Sequence, residues 1–572
     1  MLATTALLCC AGLPLALAFA LAAARLRPFA LALAPWAALP ALLVALSGWP
    51  SATVELPWLL VGTTLGLDDT SRVFLLLTAA LWLVCGHYAA AYHAHDPHRV
   101  RMSAYWLATL AGNLLLILAG DAVTFYLGFL TMGLCAYGLI VHDGTDEARR
   151  AGTVYLALVI LGEALILPAL WLAVAQAASI ALDDMASAVA ADPLTLGLLV
   201  AGFGIKAALV PLHVWLPVAH PVAPTPASAV LSGAMVKAGV LGWLVLLPLG
   251  ELAAPALGAA LIGLGLAGAF GAALAGCAQA RPKAVLAYSS VSQLGLLAAA
   301  LGMAFLDVSA AAPAVLAITL YAVHHAFAKG ALFLGVGCVQ AAPDARRRRR
   351  ALALLLLPGL ALAGLPFTSG AVAKTALKHV LPELTDAWYG VLDTVLPLAA
   401  IGTTLLMARF GFLLWHEPVG KPKPGLAAPW LVLLGMVAVV GFVPALFPSA
   451  LIEEALAPSH WWGASWPVLL GLVLAGAAAR WWRRAPRVPE GDILWPIVAC
   501  VRAVGARIAW RRASEAWAAL QDGIAARSAL AWRLLDRRVG AGERWLTAWP
   551  VLAGAMLAAI VLAWWLVRAQ QV

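Results

Sequence analysis

The chain reads as an all-α protein, a polytopic transmembrane helical bundle of about sixteen spans, because runs of about 20 apolar residues recur along it and a hydrocarbon core of about 30 Å needs one such run per helix. Composition agrees: of 572 residues 64% are hydrophobic and 11% charged, and the mean hydropathy is +0.94. A third observation is the alternation of basic and acidic loops between the runs.

In order, the runs lie near 4–24, 30–47, 71–93, 103–119, 122–141, 152–177, 193–216, 224–248, 254–277, 283–305, 312–340, 350–375, 389–416, 427–448, 462–480 and 547–568. The first has no basic residue ahead of it and is longer than a signal-peptide core, so it is read as a helix. No soluble domain of ordinary size fits between the spans. The organisation expected is N-terminal transmembrane helices over 1–102, a core over 103–416, further spans over 417–480, a basic segment over 481–546 and a last helix over 547–572.

Basic short loops stay cytoplasmic. The odd-numbered loops carry Arg25 and Arg27, Arg99 and Arg101, Arg149 and Arg150, Arg281 and Lys283, Arg346 to Arg350, Lys421 and Lys423, and the arginine-rich stretch after residue 480. The even loops are acidic or neutral, as at Asp183, Asp184, Asp192, Glu251 and Asp307. The expectation is a multi-pass protein of the cell inner (plasma) membrane with both termini outside the cytoplasm. The +9 formal charge is then a topology signal, reinforced by anionic inner-leaflet lipids. Nucleic-acid binding is excluded, since no soluble basic domain presents such a face.

Seven cysteines, Cys9, Cys10, Cys85, Cys135, Cys277, Cys338 and Cys500, show no CxxC spacing. That argues against iron–sulfur or zinc ligation, so no metal and no cofactor is expected on the chain. His93, His95 and His98 offer ligand chemistry in the third loop, but a solvated surface loop accounts for them.

Lys206 lies in an apolar span that Pro211 then breaks, and Pro366 interrupts a second span before Lys374. Backbone groups freed inside a membrane are tolerated only where protein or water satisfies them. A charge at bilayer depth costs roughly 2.5–3.5 kcal/mol and normally faces a polar pathway. Lys206, Lys237, Lys329 and Lys374 supply one lysine on each of the seventh, eighth, eleventh and twelfth spans, with His325 one turn before Lys329. A water-connected lysine row trades protons laterally; the competing reading of a single lysine is snorkelling to the interface, plausible for Lys374 and weak for the mid-span Lys206 and Lys237.

Four ordered blocks make the pattern specific: Lys206 to Gly239 (KAALVPLHVWLPVAHPVAPTPASAVLSGAMVKAG), Lys283 to Gly295 (KAVLAYSSVSQLG), His325 to Leu334 (HAFAKGALFL), and Gly364-Leu365-Pro366 through Lys374. Together they resemble the antiporter-like subunits shared by respiratory complex I, hydrogenase-4-type membrane-bound hydrogenases and Mrp sodium/proton antiporters. The resemblance covers roughly residues 60 to 415 and implies two inverted repeats with discontinuous helices, spans 4 to 8 and 9 to 13, within a proton-translocation core at 103–416.

That resemblance also implies a glutamate on the fifth span, paired with the seventh-span lysine. Here Leu130 stands at its place in Phe129 to Tyr137. Glu163, near the middle of the sixth span, is the candidate substitute, either as an ion-pair partner of Lys206 or as a protonated structural glutamate bonded to backbone. Asp121, at the start of the fifth span, reads as a cap or interfacial acid.

Past residue 480 come Trp481, Trp482, Arg483 and Arg484 and a basic, largely helical run suited to the cytoplasmic interface, where large complex I relatives carry a lateral helix. Gly505, Gly523, Gly540 and Gly542 suggest a piecewise helix instead. The function expected is ion translocation, of protons or Na+, as a non-redox subunit of a hetero-oligomeric complex whose other membrane subunits carry any oxidoreductase chemistry. A proton-driven inorganic-carbon uptake system or a Na+/H+ antiporter without redox coupling is the alternative.

Overall fold

A computed structural model describes residues 2–491 apart from 48–52, 60, 419, 481 and 483–487. The expected surface helix after residue 491 and the span at 547–568 lie outside the described residues.

The N-terminal quarter comprises α1 (Leu2–Ala20), α2 (Arg27–Leu33), α3 (Leu39–Leu46), a hairpin of β1 (Val54–Leu56) and β2 (Thr63–Leu65), α4 (Asp69–Tyr92) and α5 (Arg99–Leu118). The span read at 30–47 is thus two short helices joined by a 3₁₀ turn at Ala34–Trp36, where Pro35 and Pro40 withhold amide donors. The two-stranded hairpin is a small departure from an all-α chain.

Next come α6 (Ala122–Ile140), α7 (Asp146–Ala177), α8 (Met185–Ala191), α9 (Pro193–Lys206), α10 (Trp215–Val222), α11 (Thr225–Val230) and α12 (Val236–Leu246), with a π-helical segment at Leu231–Met235 joining the last two. The second half of the core runs through α13 (Pro255–Cys277), α14 (Pro282–Leu306), α15 (Ala311–Gln340), α16 (Ala345–Leu354), α17 (Leu356–Ala363), α18 (Ser369–Lys378) and α19 (Asp386–His416). After it stand α20 (Ala427–Val439), α21 (Ser449–Leu456) and α22 (Pro458–Ala479).

Among the described residues 11 helices are long and apolar enough to cross a membrane, or up to 12 when α8 and α9, bent by 119°, count as one span, and two shorter apolar helices join them. The molecule is a polytopic helical membrane protein.

Local chemistry sets the helix starts. Asp68, Asp121, Thr145, Asp192, Asp344 and Thr368 each accept an amide hydrogen of the first turn, and prolines open α9, α13 and α14. The two proline breaks also appear: the chain leaves helical geometry at 207–214, around Pro211, and at 364–368, around Pro366.

Helix α14 sits at the centre, its apolar window 100% buried against 22% for α22. It approaches α13 backbone to backbone. A Cβ on Gly265 would stand 2.5 Å from the Gly295 carbonyl oxygen, and one on Gly258 2.7 Å from that of Gly302. Small residues at such crossings allow close van der Waals packing where lipid offers no hydrophobic drive. Gly295→Val is therefore expected to cost about 1–3 kcal/mol or more by overpacking. The check is a lower melting temperature and monodisperse yield in detergent; parent-like values would show that the seam relaxes.

The loops sort to two ends. At one end the hairpin, the α5–α6 turn and the α7–α8 connection bond to each other: Gly66 N to Leu118 O at 2.8 Å, Gly120 N to Thr64 O at 2.8 Å, Ala122 N to Ile180 O at 2.9 Å. At the other, basic end, Arg281 bridges Glu147 (2.6 Å) and Glu490 (2.7 Å), and Arg348 donates to the Glu417 carbonyl at 2.6 Å.

Candidate functional site

The site residues read from the sequence fall into three groups. Lys206 is the last residue of α9, where the chain breaks, and it is only 4% exposed. Its ammonium donates to the Tyr155 hydroxyl at 3.4 Å and lies 5.9, 5.7 and 6.0 Å from the ring centroids of Phe129, Tyr155 and Trp215. Such distances are within reach of cation–π attraction. Tyr155 passes its own hydrogen to the Gly133 carbonyl at 2.8 Å.

Glu163, on α7, lines the same small cavity as Lys206, together with Phe129, Trp215 and Gly202. Its volume of about 10 Å³ holds about one water. Glu163 is 7% exposed; neither carboxylate oxygen has a partner within 3.5 Å among the described residues, and the Tyr126 side chain is the polar group that interacts with it. The two groups are thus brought together but not into contact: among the described ion pairs within 4.0 Å, none joins Glu163 to Lys206. Of the two readings of Glu163, an ion pair with Lys206 and a glutamate bonded to backbone, neither contact is made among the described residues: the ammonium turns into an aromatic box and the acid lies across the cavity. Leu130 is half-buried on α6, beside Phe129 of that box.

The second cluster is wholly buried. Lys237 Nζ donates to the Ser232 carbonyl at 2.7 Å and to His325 Nδ1 at 2.6 Å. Ser232 belongs to the π-helical segment, a geometry that often marks functional positions because it frees backbone groups. Its hydroxyl meets that of Ser290 at 2.7 Å, Ser290 donates to the Leu286 carbonyl at 3.1 Å, and Lys329 Nζ donates to that same carbonyl at 2.9 Å and bonds the Ser289 hydroxyl. His325, Lys237, Ser232, Ser290 and Lys329 thus form one buried polar cluster across α12, α14 and α15, joined in part by the backbone carbonyls of Ser232 and Leu286, which accept hydrogen bonds and pass on no proton.

Lys374 stands apart and is only half-buried. Its ammonium donates to the carbonyl of Ala363, the last residue of α17, at 2.5 Å, closing the broken helix from across the gap. Gly364, at φ +84°, makes that turn; a Cβ there would stand 2.8 Å from Lys374 Nζ.

Sequence reasoning missed several members. His324 is buried, and its Nδ1 meets the Ser369 hydroxyl at 2.8 Å, tying α15 to α18. Ser289 and Ser290 lay inside a quoted block without an assigned role. Tyr321 donates to Gln293 Oε1 at 2.6 Å and Gln293 to Thr403 at 2.9 Å, extending the polar interior to α19. Asp121 caps α6 and also accepts the Thr64 amide at 2.8 Å. Among the third-loop histidines, His95 and His98 are exposed, as a solvated loop requires, but His93 is buried and joined to Asp96 and His142.

Residues 119–389 match the family described as NADH:quinone oxidoreductase/Mrp antiporter, TM. The chain is 31% identical to NADH-quinone oxidoreductase subunit N of Moorella thermoacetica over 61% of its own length and 76% of that protein's. It is 29% identical to hydrogenase-4 component B of Escherichia coli over 50% of this chain. It is 33% identical to an uncharacterized Mycobacterium tuberculosis protein over 61% of this chain. It spans 44% of the length of the hydrogenase component and 58% of the mycobacterial protein. The fold matches a chain in the structure of the Mrp complex from Dietzia sp. with a TM-score of 0.69 at 24% identity, over 93% of this chain and 63% of that one. With the broken helices and buried lysines in place, these likenesses make the chain a member of the NADH:quinone oxidoreductase/Mrp antiporter transmembrane family.

Proposed function

We propose that the chain is the proton-translocating membrane subunit of a multisubunit complex, moving protons along Glu163, Lys206, Lys237, His325, Lys329 and Lys374. The observation that carries this reading is the buried cluster of His325, Lys237 and Lys329, linked through Ser232, Ser290 and the Leu286 carbonyl. It places two ammonium groups and an imidazole in a fully buried position, where fixed charge is costly unless a mobile proton uses it. Lys206 and Lys237 lie on neighbouring helices, α12 pressing Gly239 against the Phe203 carbonyl and Lys206 Cβ of α9. Among the described residues no direct hydrogen bond joins these two clusters, so transfer between them requires water.

The partners in this reading are other membrane subunits, and the energy comes from them. Affinity isolation of the tagged chain from native membranes tests it. Co-purifying flavin- or iron–sulfur-bearing subunits, with dye-detected proton uptake during their turnover in proteoliposomes, support it. Robust sodium-for-proton exchange by the isolated chain overturns it in favour of a self-sufficient antiporter. A second reading, membrane partner of a proton-driven inorganic-carbon uptake system, draws on Leu130 in place of the expected carboxylate; a single large soluble zinc protein as partner would select it.

The orientation that goes with this reading puts the basic end, with Arg346 to Arg350, in the cytoplasm and Asp183 and Asp184 outside. With native cysteines removed, a cysteine at Asp183 is expected to react with an impermeant thiol reagent on intact cells, and one at Arg349 only after permeabilisation. The opposite pattern inverts the topology.

A further inference from the structure

The α4–α5 turn and the α6–α7 turn meet at the basic end through three side chains. His93 Nδ1 lies 2.8 Å from Asp96 Oδ2, and His142 Nε2 lies 2.6 Å from that same oxygen. The two imidazoles stand nearly perpendicular, with centroids 5.1 Å apart. A ligand atom of each residue lies within 4.8 Å of the others. His93 is 8% and His142 4% exposed.

We propose that His93, Asp96 and His142 form a binding site for a divalent first-row transition ion, of which Zn2+ is the fitting member, clamping the α4–α5 turn to the α6–α7 turn. Two imidazole nitrogens and one carboxylate oxygen are the borderline donor set that zinc takes with three protein ligands, leaving a fourth position for water. Zinc ligands at about 2.0–2.1 Å stand about 3.3 Å from one another in a tetrahedron, so the two nitrogen–oxygen distances, 2.8 and 2.6 Å, need to lengthen by only about 0.5–0.7 Å.

As the histidines now stand, each donates an N–H to the carboxylate, and coordination requires each hydrogen to move to the other ring nitrogen. Those atoms, His93 Nε2 and His142 Nδ1, have no hydrogen-bond partner among the described residues, and the two bonds to Asp96 that the change of tautomer gives up are replaced by bonds to the metal. The surrounding charge is balanced: Lys423 lies over the Tyr92 ring at 3.5 Å and Arg101 donates to the His142 carbonyl at 2.8 Å, while Asp96 and Asp143 supply the carboxylates. The interaction joins positions 46 residues apart, which a solvated histidine loop would not do.

The test uses the full-length protein in detergent, stripped with chelator and titrated with ZnCl2. Elemental analysis after desalting is expected to show about one Zn2+ per chain, and Co2+ in its place should give the intense visible bands of a tetrahedral site. Zinc should also raise the melting temperature. His142→Ala and Asp96→Asn should each weaken binding at least tenfold and abolish the cobalt bands, while His95→Ala and His98→Ala, at exposed positions of the same loop, should change neither. Asp96→Asn keeps a hydrogen-bond acceptor between the rings, so a folded but metal-free variant separates ligation from loop structure. Substoichiometric zinc in the parent, or binding lost with His95 or His98 instead, overturns the site.

Discussion

Lys237→Met in the assembled complex is expected to reduce proton movement at least tenfold while leaving the melting temperature close to that of the parent. Lys237 is the junction of the buried cluster: among the described residues it joins the His325 ring to the Ser232 carbonyl. Methionine occupies similar volume but carries no exchangeable proton. Its energetic effects oppose one another. Removing a charge at bilayer depth relieves roughly 2.5–3.5 kcal/mol, whereas leaving a buried ring nitrogen and a carbonyl without a donor costs about 1–3 kcal/mol each. Flux in proteoliposomes within twofold of the parent would remove Lys237 from the path, and a collapse in stability would make its role architectural.

Lys206→Ala and Glu163→Gln are each expected to reduce flux about tenfold or more, and the double variant should be little worse than either. The two groups face one cavity with room for about one water, and a proton passing between α7 and α9 there needs both. Residues that act through a shared element are non-additive, so the coupling measured by the double-mutant cycle should be a large fraction of either single effect. Because Lys206 sits among three rings and not against the carboxylate, Glu163→Gln should leave its position nearly unchanged, which a parent-like tryptophan spectrum for Trp215 reports. Multiplying losses in the double variant would assign the two residues to separate routes.

The polytopic helical architecture and the two breaks were legible because each rests on a local signal: a run of apolar residues, a capping Asp or Thr, a proline in the wrong place. Pro211 and Pro366 announced the gaps at 207–214 and 364–368 without any knowledge of packing. Partnerships were not legible in the same way. Helices α14 and α15 are buried nearly all round, so no amphipathic pattern singles out His324 from His325, although one reaches Ser369 and the other Lys237. Ser232 and Ser290 are 58 residues apart, and their meeting depends on how α14 crosses the π-helical segment. The Glu163–Lys206 pair was inferred from charge alone, and the rings of Phe129, Tyr155 and Trp215 decide where the ammonium goes. Likewise His142 has no sequence mark connecting it to Asp96; only the closeness of two turns does.

The bond from Lys374 to Ala363 makes the break in the second half of the core an electrically loaded joint. The C-terminal end of α17 carries the negative end of its peptide dipoles, roughly half an elementary charge, and the cation that faces it is held on the far side of the gap, on α18. While the ammonium is charged, the two half-helices are drawn together; when its proton leaves, the same nitrogen still donates, but the attraction across the gap falls. The charge on one side chain thereby sets the attraction between two rigid segments across the break.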